Sequence, residues 1–140
     1  MKAPHIFAFA TVLVTISKAP GFAADPIGIW NAEQGTVRVS DCGGALCATL
    51  ASLKQPADPQ TGRPKTDIHN PDASKRNRPL VGVVIFSGMR PQGPNRWGGG
   101  RLYNPEDGNS YDASFTLEGA NVLKVQGCVM VICKSRTWTR

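Results

Sequence analysis

Residues 96–117 read RWGGGRLYNPEDGNSYDASFTL. Two strand-like runs, Arg96–Tyr103 and Tyr111–Leu117, flank Pro105-Glu106-Asp107-Gly108, and this four-residue composition is typical of a tight turn. The run Gly98-Gly99-Gly100 has no side chains to pack, which permits a β-bulge or a tight barrel bend. We therefore predict an antiparallel hairpin whose first strand is bent.

Similar short runs continue on both sides of this hairpin, and no later segment shows a sustained helical period. An antiparallel sheet without a helical layer must bury one face, and closing the sheet on itself does so without leaving an exposed edge. We predict an all-β fold, an eight-stranded up-and-down antiparallel β-barrel. Such a barrel is either filled by side chains or holds one small ligand. The predicted strands are Ile27–Trp30, Thr36–Ser40, Leu46–Leu53, Leu80–Phe86, Arg96–Tyr103, Tyr111–Leu117, Val122–Gln126 and Lys134–Thr139, with Leu80–Phe86 read as buried on both faces or curling inward.

A Pro-rich, mostly polar segment, residues 54–79, separates the third and fourth predicted strands. Loops of this length inside a small domain are usually functional or disordered, so the segment is read either as a lid or as a tolerated surface excursion. Asn70 is a suitable N-cap and Pro71 suits the first helical position, which predicts a short helix over residues 72–77.

The N-terminal segment has the order of a secretory signal: Lys2, an apolar run from Ile6 to Ile16, and the small pair Ala23-Ala24. The apolar run is shorter than the roughly 20 residues that span a bilayer. We predict a signal peptide over residues 1–23, with cleavage after Ala24 as the alternative. Residues 24–140 then form a single domain without a transmembrane span, located in the periplasm or secreted.

Charge argues against nucleic acid as a partner. The chain carries 16 Lys and Arg residues against 10 Asp and Glu residues, a net charge of +6. Removal of Lys2 and Lys18 with the signal leaves 14 basic residues, hence +4. The small basic group Lys75, Arg76 and Arg78 is read as a solvated face, and no protein partner is identified.

Four cysteines form two close pairs, Cys42 with Cys47 and Cys128 with Cys133. Export to an oxidising compartment makes disulfides the expected state, although four cysteines allow three connectivities. Local bridges are favoured because each pair flanks a predicted hairpin turn, and each would contribute only about 2 kcal/mol. The competing zinc site is disfavoured by the C-x4-C spacing.

Several motifs across the chain from residue 28 to its end closely resemble DUF2147, a family of small exported bacterial proteins of uncharacterised function. The resemblance implies a lipocalin-like β-barrel in the periplasm or outside the cell, and no established reaction. Two features depart from the family pattern: the cysteine pair Cys128 and Cys133, and the apolar stretch Val129–Ile132 between them, which we expect to be buried at a barrel end or to lie against a partner. The motifs are Gly28-Ile29-Trp30, Cys42-Gly43 with Leu46-Cys47, residues 62–67 (GRPKTD), Asn70-Pro71-Asp72, residues 78–82 (RPLVG), residues 95–108 (NRWGGGRLYNPEDG) and residues 136–140 (RTWTR).

The resemblance to lipocalin-like barrels also implies a structural plug. In such barrels a Gly-x-Trp on the first strand packs near an Arg from the last strand, and here Gly28 and Trp30 with Arg136 or Arg140 would take those places. An Arg over an indole ring contributes about 0.5 to 2 kcal/mol.

Catalytic motifs are scarce. His69 is the one histidine after the signal and lies in the polar segment, and Glu106-Asp107 is explained by turn formation. A metal site from His69, Asp67 and Asp72 has no diagnostic spacing. We therefore predict no enzyme activity, no metal and no cofactor.

The best candidates for function are aromatic and polar residues that could meet at a barrel mouth, a preferred location for ligand pockets. We predict a protein that binds a small apolar or amphipathic molecule. The alternative is a structural or protein-interaction module of the cell envelope without a ligand. The predicted ligand-binding residues are Asp67, Trp97, Arg101, Tyr103, Asn104, Tyr111 and Trp138, and Trp97 and Tyr103 share a face only if no bulge intervenes.

Overall fold

The computed structural model describes residues 12–15 and 25–140. Apart from residues 12–15, the predicted signal peptide over 1–23 lies outside the described residues. Within the described ranges, no helix has the length and apolar character needed to cross a membrane.

Eight antiparallel strands form a closed barrel in which each strand pairs with the next one along the chain. The first strand also pairs with the last, through Asn31 and Thr139. The predicted eight-stranded up-and-down barrel is confirmed. The strands are β1 Gly28–Ala32, β2 Gly35–Asp41, β3 Leu46–Leu53, β4 Val84–Gly93, β5 Arg96–Asn104, β6 Asn109–Gly119, β7 Val122–Val129 and β8 Ile132–Thr139.

The alternating strand directions give the barrel two different ends. The base carries the start of β1, the turns at 42–45, 94–95 and 120–121, and Arg140, which follows β8. The mouth carries the turns at 33–34, 105–108 and 130–131 and the long segment 54–83, which connects β3 to β4. The longest connection therefore lies at the mouth.

The prediction of a strand over Leu80–Phe86 is wrong in its first half. Val83 N donates to Leu80 O at 3.0 Å, which forms a turn instead. Gly82 lies in this turn with φ of +98°, a conformation open to glycine. The strand β4 consequently begins at Val84, which is exposed rather than buried, and runs on to Gly93.

Aromatic side chains fill the interior of the barrel. Phe86 lies 5.3 Å from Phe115 and 6.0 Å from Trp138, centroid to centroid, and Trp97 stacks on Phe115 at 5.1 Å. Each fully buried side chain of this size contributes about 1.5–3 kcal/mol. The remaining core residues are Trp30, Val37, Val39, Ala48, Leu50, Ile85, Met89, Ala113, Leu117, Leu123 and Val125.

The triple glycine of β5 forms a β-bulge, one of the two predicted outcomes. Gly98 pairs with Ser114 and Gly100 with Ala113, so that Gly99, at φ of +72°, is the extra residue. The inward-facing residues are Trp97 before the bulge and Leu102 after it, since both pack against the core. Strand alternation then turns Tyr103 to the outer face. Trp97 and Tyr103 do not share a face.

Trp30 is fully buried at the base and lies beneath Arg140, whose guanidinium carbon is 4.3 Å from the indole centroid. The indole nitrogen donates to Pro26 O at 2.8 Å. Gly28 has φ of +136°, which side chains rarely tolerate. Of the two arginines proposed for the plug, Arg140 therefore takes the place over the indole.

Arg140 also joins the end of β8 to the residues before β1, since its guanidinium donates to Ala120 O at 2.8 Å, Asp25 O at 2.8 Å and Ile27 O at 3.1 Å. Arg136 lies elsewhere: it is exposed, and its Nε is 3.7 Å from the carboxylate of Glu33 at the mouth.

Both cysteine pairs are bridged locally. Cys42 and Cys47 flank the β2–β3 turn with Cα atoms 5.9 Å apart. Cys128 and Cys133 lie directly opposite each other in the β7–β8 hairpin, with Cα atoms 4.1 Å apart. The favoured connectivity is thus the one observed.

The long segment 54–83 is ordered by two isolated bridges, Ala57 with Pro64 and Thr66 with Pro79. The helix predicted over 72–77 is reduced to one 3₁₀ turn, Ala73–Lys75. Its N-cap is Asp72 rather than Asn70, because the Asp72 side chain accepts from Ser74 N while Asn70 is buried and bonded elsewhere.

Candidate functional site

A buried carboxylate, Asp67, organises the mouth. Its side chain is fully shielded from solvent. Tyr103 Oη donates to Oδ1 at 2.6 Å, and Asn70 Nδ2 donates to Oδ2 at 2.8 Å. Arg78 places Nε at 3.0 Å and Nη2 at 2.9 Å from the same Oδ2. The carboxylate thus receives donors from the long segment and from the barrel wall.

The fold of the long segment explains why these donors converge on the Asp67 carboxylate. The bridge between Thr66 and Pro79 sets Asp67 beside Arg78, and Asp67 N donates to Arg78 O at 3.0 Å. Tyr103 reaches the carboxylate because the β5 bulge turns it to the outer face. The network therefore fastens the segment to the outside of the barrel wall, near the mouth, rather than across the lumen.

Next to this network, a glycine allows the β5–β6 turn to lie directly against the backbone of the long segment. Gly108, at φ of +72° in the β5–β6 turn, lies against the carbonyl oxygen of His69 so closely that a Cβ atom could not be accommodated. His69 contributes its backbone here, and its side chain is exposed.

The network holds Asp67 ionised and Tyr103 neutral. Burial alone would raise the pKa of Asp67, but hydrogen bonds from Tyr103, Asn70 and Arg78, with the charge of Arg78, outweigh it and hold that pKa below its usual 3.8. Burial, followed by the hydrogen bond to Asp67, raises the pKa of Tyr103 to about 12. At neutral pH Asp67 is therefore ionised and accepts hydrogen bonds, and Tyr103 is neutral and donates one.

A cleft of about 350 Å³ opens beside this network. Its size lies at the lower end of small-molecule sites, which span about 300–1,000 Å³. Lys75 supplies a cation that makes no salt bridge within the described part of the chain, and Val84 supplies an apolar wall. The full lining is Asn70, Pro71, Asp72, Lys75, Arg78, Val84, Tyr103 and Ser110.

The structure brings together two of the seven predicted ligand residues, Asp67 and Tyr103. Trp138 is buried and stacks on Phe86, while the half-buried Trp97 stacks on Phe115, so both tryptophans serve as core.

The other three predicted ligand residues have separate roles. Arg101 lies on the outer face in an exposed pair with Asp112, Nη1 to Oδ1 at 2.5 Å. Asn104 accepts from Glu106 N at 3.0 Å within the β5–β6 turn. Tyr111 donates a short hydrogen bond to Asp107, which raises the pKa of the Tyr111 phenol. They do not line the cleft.

Seven of the eight lining residues, all but Tyr103, were missed as ligand-binding candidates, among them Asn70, Lys75 and Arg78. Lys75 and Arg78 were read as a solvated basic face, and Asn70 as a helix cap. The available signal was their position in two polar motifs of the long segment, Asn70-Pro71-Asp72 and the run beginning Arg78-Pro79.

Metal binding receives no support from the described residues. Within 12–15 and 25–140, no group of three or more His, Cys, Asp or Glu side chains is placed to hold a metal ion. The trio considered from sequence is divided, because Asp67 is occupied by Arg78 and Tyr103, and Asp72 caps Ser74.

Comparison with known proteins places the chain in a family. Residues 28–140 match the profile of DUF2147, described as an uncharacterized protein conserved in bacteria. No curated protein matches the chain. Among solved structures, protein HP1028 from Helicobacter pylori, described as belonging to the lipocalin family, aligns with a TM-score of 0.72. The alignment covers 84% of this chain and 83% of that one at 24% identity, so the likeness is one of fold.

Proposed function

We propose that this chain, which belongs to the DUF2147 family of uncharacterised bacterial proteins, is an exported binding protein that holds one small amphipathic molecule in the cleft beside Asp67. The observation that carries the proposal is the cleft of about 350 Å³, with a free cation at one side and an apolar wall at another.

The chemistry of the lining selects the ligand class. Lys75 favours an anionic headgroup, carboxylate or phosphate, because the charge of Arg78 is already paired with Asp67, and Ser110 and Asn70 offer further polar contacts. Val84 and Pro71 give a short apolar surface for the tail. A molecule with an anionic headgroup and an apolar tail makes contacts with both parts of the lining, whereas a fully apolar molecule leaves the polar groups without a partner.

The cleft is favoured over the lumen because side chains occupy the lumen. Phe86, Phe115 and Met89 are almost completely buried inside the barrel, and a ligand there would have to displace them. A binding protein with this packing holds its ligand outside the wall, beneath the long segment.

Export is part of the proposal. Two local disulfides and membership of a bacterial family fit an extracytoplasmic protein. The N-terminal sequence order of a charge, an apolar run and small residues supports the same location. Binding without catalysis remains the prediction for this site.

The first test is native mass spectrometry of the protein purified from its own cell envelope, in which a retained ligand appears as a discrete mass increment. Isothermal titration with dodecanoate, and with dodecanol as the uncharged match, tests the headgroup. Dodecanoate is expected to bind up to about fivefold more tightly, since Lys75 is exposed and an exposed ion pair is worth about 0–1 kcal/mol.

Matched variants separate the cleft from the rest of the surface. Lys75→Gln removes the free cation and is expected to erase the preference for dodecanoate, whereas Lys124→Gln on the outside of β7 retains it. Equal affinity of Lys75→Gln and the wild type for dodecanoate would overturn the proposed site. The absence of any bound ligand in both experiments would overturn the binding function.

A further inference from the structure

The β7–β8 hairpin ends in four exposed apolar residues, Val129–Ile132, which we call the tip. The exposed fraction is 51% at Val129, 91% at Met130, 95% at Val131 and 71% at Ile132. The expectation that this stretch is buried at a barrel end is therefore wrong. Exposure is greatest at the two turn residues, so the apolar surface forms a wedge rather than a flat face.

The tip extends beyond β1 on one side, while on the other side β6 runs level with it, since Asp112 pairs with Cys128. β8 pairs with β1 only at Asn31 and Thr139. The backbone of residues 132–137 consequently pairs with β7 alone, and at about 3.3 Å per residue it carries the hairpin about 20 Å past that pairing. The disulfide between Cys128 and Cys133 closes the hairpin directly behind the tip.

The turn itself carries a second observation. Met130 adopts φ of +53°, in the left-handed region where Asn or Gly is the ordinary residue. The β4–β5 turn places Asn95 at φ of +58° in the same region. A side chain that is unfavourable for its backbone and almost fully exposed is not explained by folding, which points to a role for the methionine in contact with something outside the chain.

Charge indicates what that contact is. Lys134 and Arg136 follow the tip on β8 and are exposed. Lys134 makes no salt bridge within residues 25–140. Its charge acts on the Asp107 carboxylate, which already accepts from Tyr111, while Asp112 pairs with Arg101 and Glu33 with Arg136. A cation behind an apolar wedge matches an anionic bilayer, with the apolar residues below the headgroups and the ammonium group among the phosphates.

The size of the tip separates a bilayer from a protein partner. Stable protein interfaces use about 20–30 residues a side. Four apolar residues at a convex apex provide far less, whereas insertion into lipid requires no complementary surface. We propose that the tip anchors the protein reversibly to an anionic phospholipid membrane, independently of ligand binding in the cleft.

Co-sedimentation with lipid vesicles tests the proposal. The wild type is expected to sediment with vesicles of phosphatidylcholine and phosphatidylglycerol at about 3:1, and less with phosphatidylcholine alone. Met130→Asn combined with Val131→Thr is expected to reduce binding at least about tenfold, because it removes the most exposed apolar groups. Lys134→Gln is expected to reduce binding about fivefold to the anionic vesicles only.

Met130→Asn alone also shows whether a loss of lipid binding results from unfolding. Asn is well suited to positive φ, so Met130→Asn is expected to melt at or above the wild-type temperature while binding lipid less. Ile27→Thr with Ile29→Thr, which removes exposed apolar residues at the base, is the matched control and is expected to bind as the wild type does.

Two results would overturn the proposal. One is wild-type protein that stays in solution with both vesicle types. The other is tip-dependent photo-crosslinking to a protein in intact cells together with vesicle binding that the tip variant leaves unchanged, which would assign the tip to a protein partner.

Discussion

The base and the mouth of the barrel are held together by different physical interactions. At the base, the buried indole of Trp30 lies under Arg140, whose remaining donors bind backbone carbonyl groups. At the mouth, Asp67 gathers Tyr103, Asn70 and Arg78 around one carboxylate. Apolar packing resists any local change, whereas a polar network can open without exposing core. Stability therefore resides at the base and adaptability at the mouth.

The largest expected effect is at the base. Trp30→Ala removes a fully buried indole and is expected to lower the free energy of unfolding by about 3–5 kcal/mol. Urea denaturation followed by circular dichroism measures this change. Leu102→Ala, at a half-buried position near the mouth end of β5, is expected to cost less, and equal losses for the two variants would contradict the assignment of stability to the base.

A smaller and more local effect is expected at the mouth. Asp67→Asn keeps the size of the side chain but removes the charge that Arg78 and Tyr103 bind, so the free energy of unfolding is expected to fall by about 1–3 kcal/mol. Hydrogen exchange is expected to accelerate mainly in segment 54–83. Uniform acceleration across the core strands would show that the network supports the entire barrel.

The pKa values of Asp67 and Tyr103 define the pH range in which this network stabilises the fold. The pKa of Asp67 is lowered from 3.8 in the folded protein, so its contribution is present above that pH and is lost as the pH falls below it. The pKa of Tyr103 is raised from 10.0 to about 12, so its contribution is present below pH 10.0 and is lost as the pH rises towards about 12. Asp67→Asn is expected to flatten the acid decline in melting temperature, and an unchanged decline would exclude this carboxylate as its source.

The smallest effect is expected on the outer wall between the two regions. Arg101 and Asp112 pair in the open, with 59% and 73% of their side chains exposed. Exposed pairs contribute about 0–1 kcal/mol, so Arg101→Ala is expected to leave both the unfolding free energy and dodecanoate binding within error of the wild type. A clear loss of dodecanoate binding would contradict this prediction and show that the outer wall belongs to the functional site.

The barrel was predictable because its signals are local. Turn residues such as Pro105–Gly108 separate the strands, and a meander needs only neighbouring strands to pair. The error at Leu80–Val83 has a physical cause, since an apolar run does not distinguish a buried strand from a turn that packs on the core. Gly82 was the available signal for the turn.

The site was less predictable because its contacts are distant in sequence. Asp67 and Tyr103 are 36 residues apart and meet only through the fold of the long segment and the bulge in β5. Whether Arg78 lies free in solvent or binds a buried carboxylate is decided by the bridge between Thr66 and Pro79, which composition does not encode. The exposure of the tip could not be predicted either, because a run of apolar residues on its own predicts burial.

The single pairing that joins β1 to β8 also fixes an order of events in time. Seven of the strand pairings join consecutive strands, but Asn31 and Thr139 meet only once β8 has been made. Until then both outermost strands have unpaired backbone groups, and the growing chain is an open, aggregation-prone sheet. Because Arg140 follows immediately and joins the end of β8 to the residues before β1, deletion of Thr139 and Arg140 would delay closure of the barrel far more than the loss of two residues suggests.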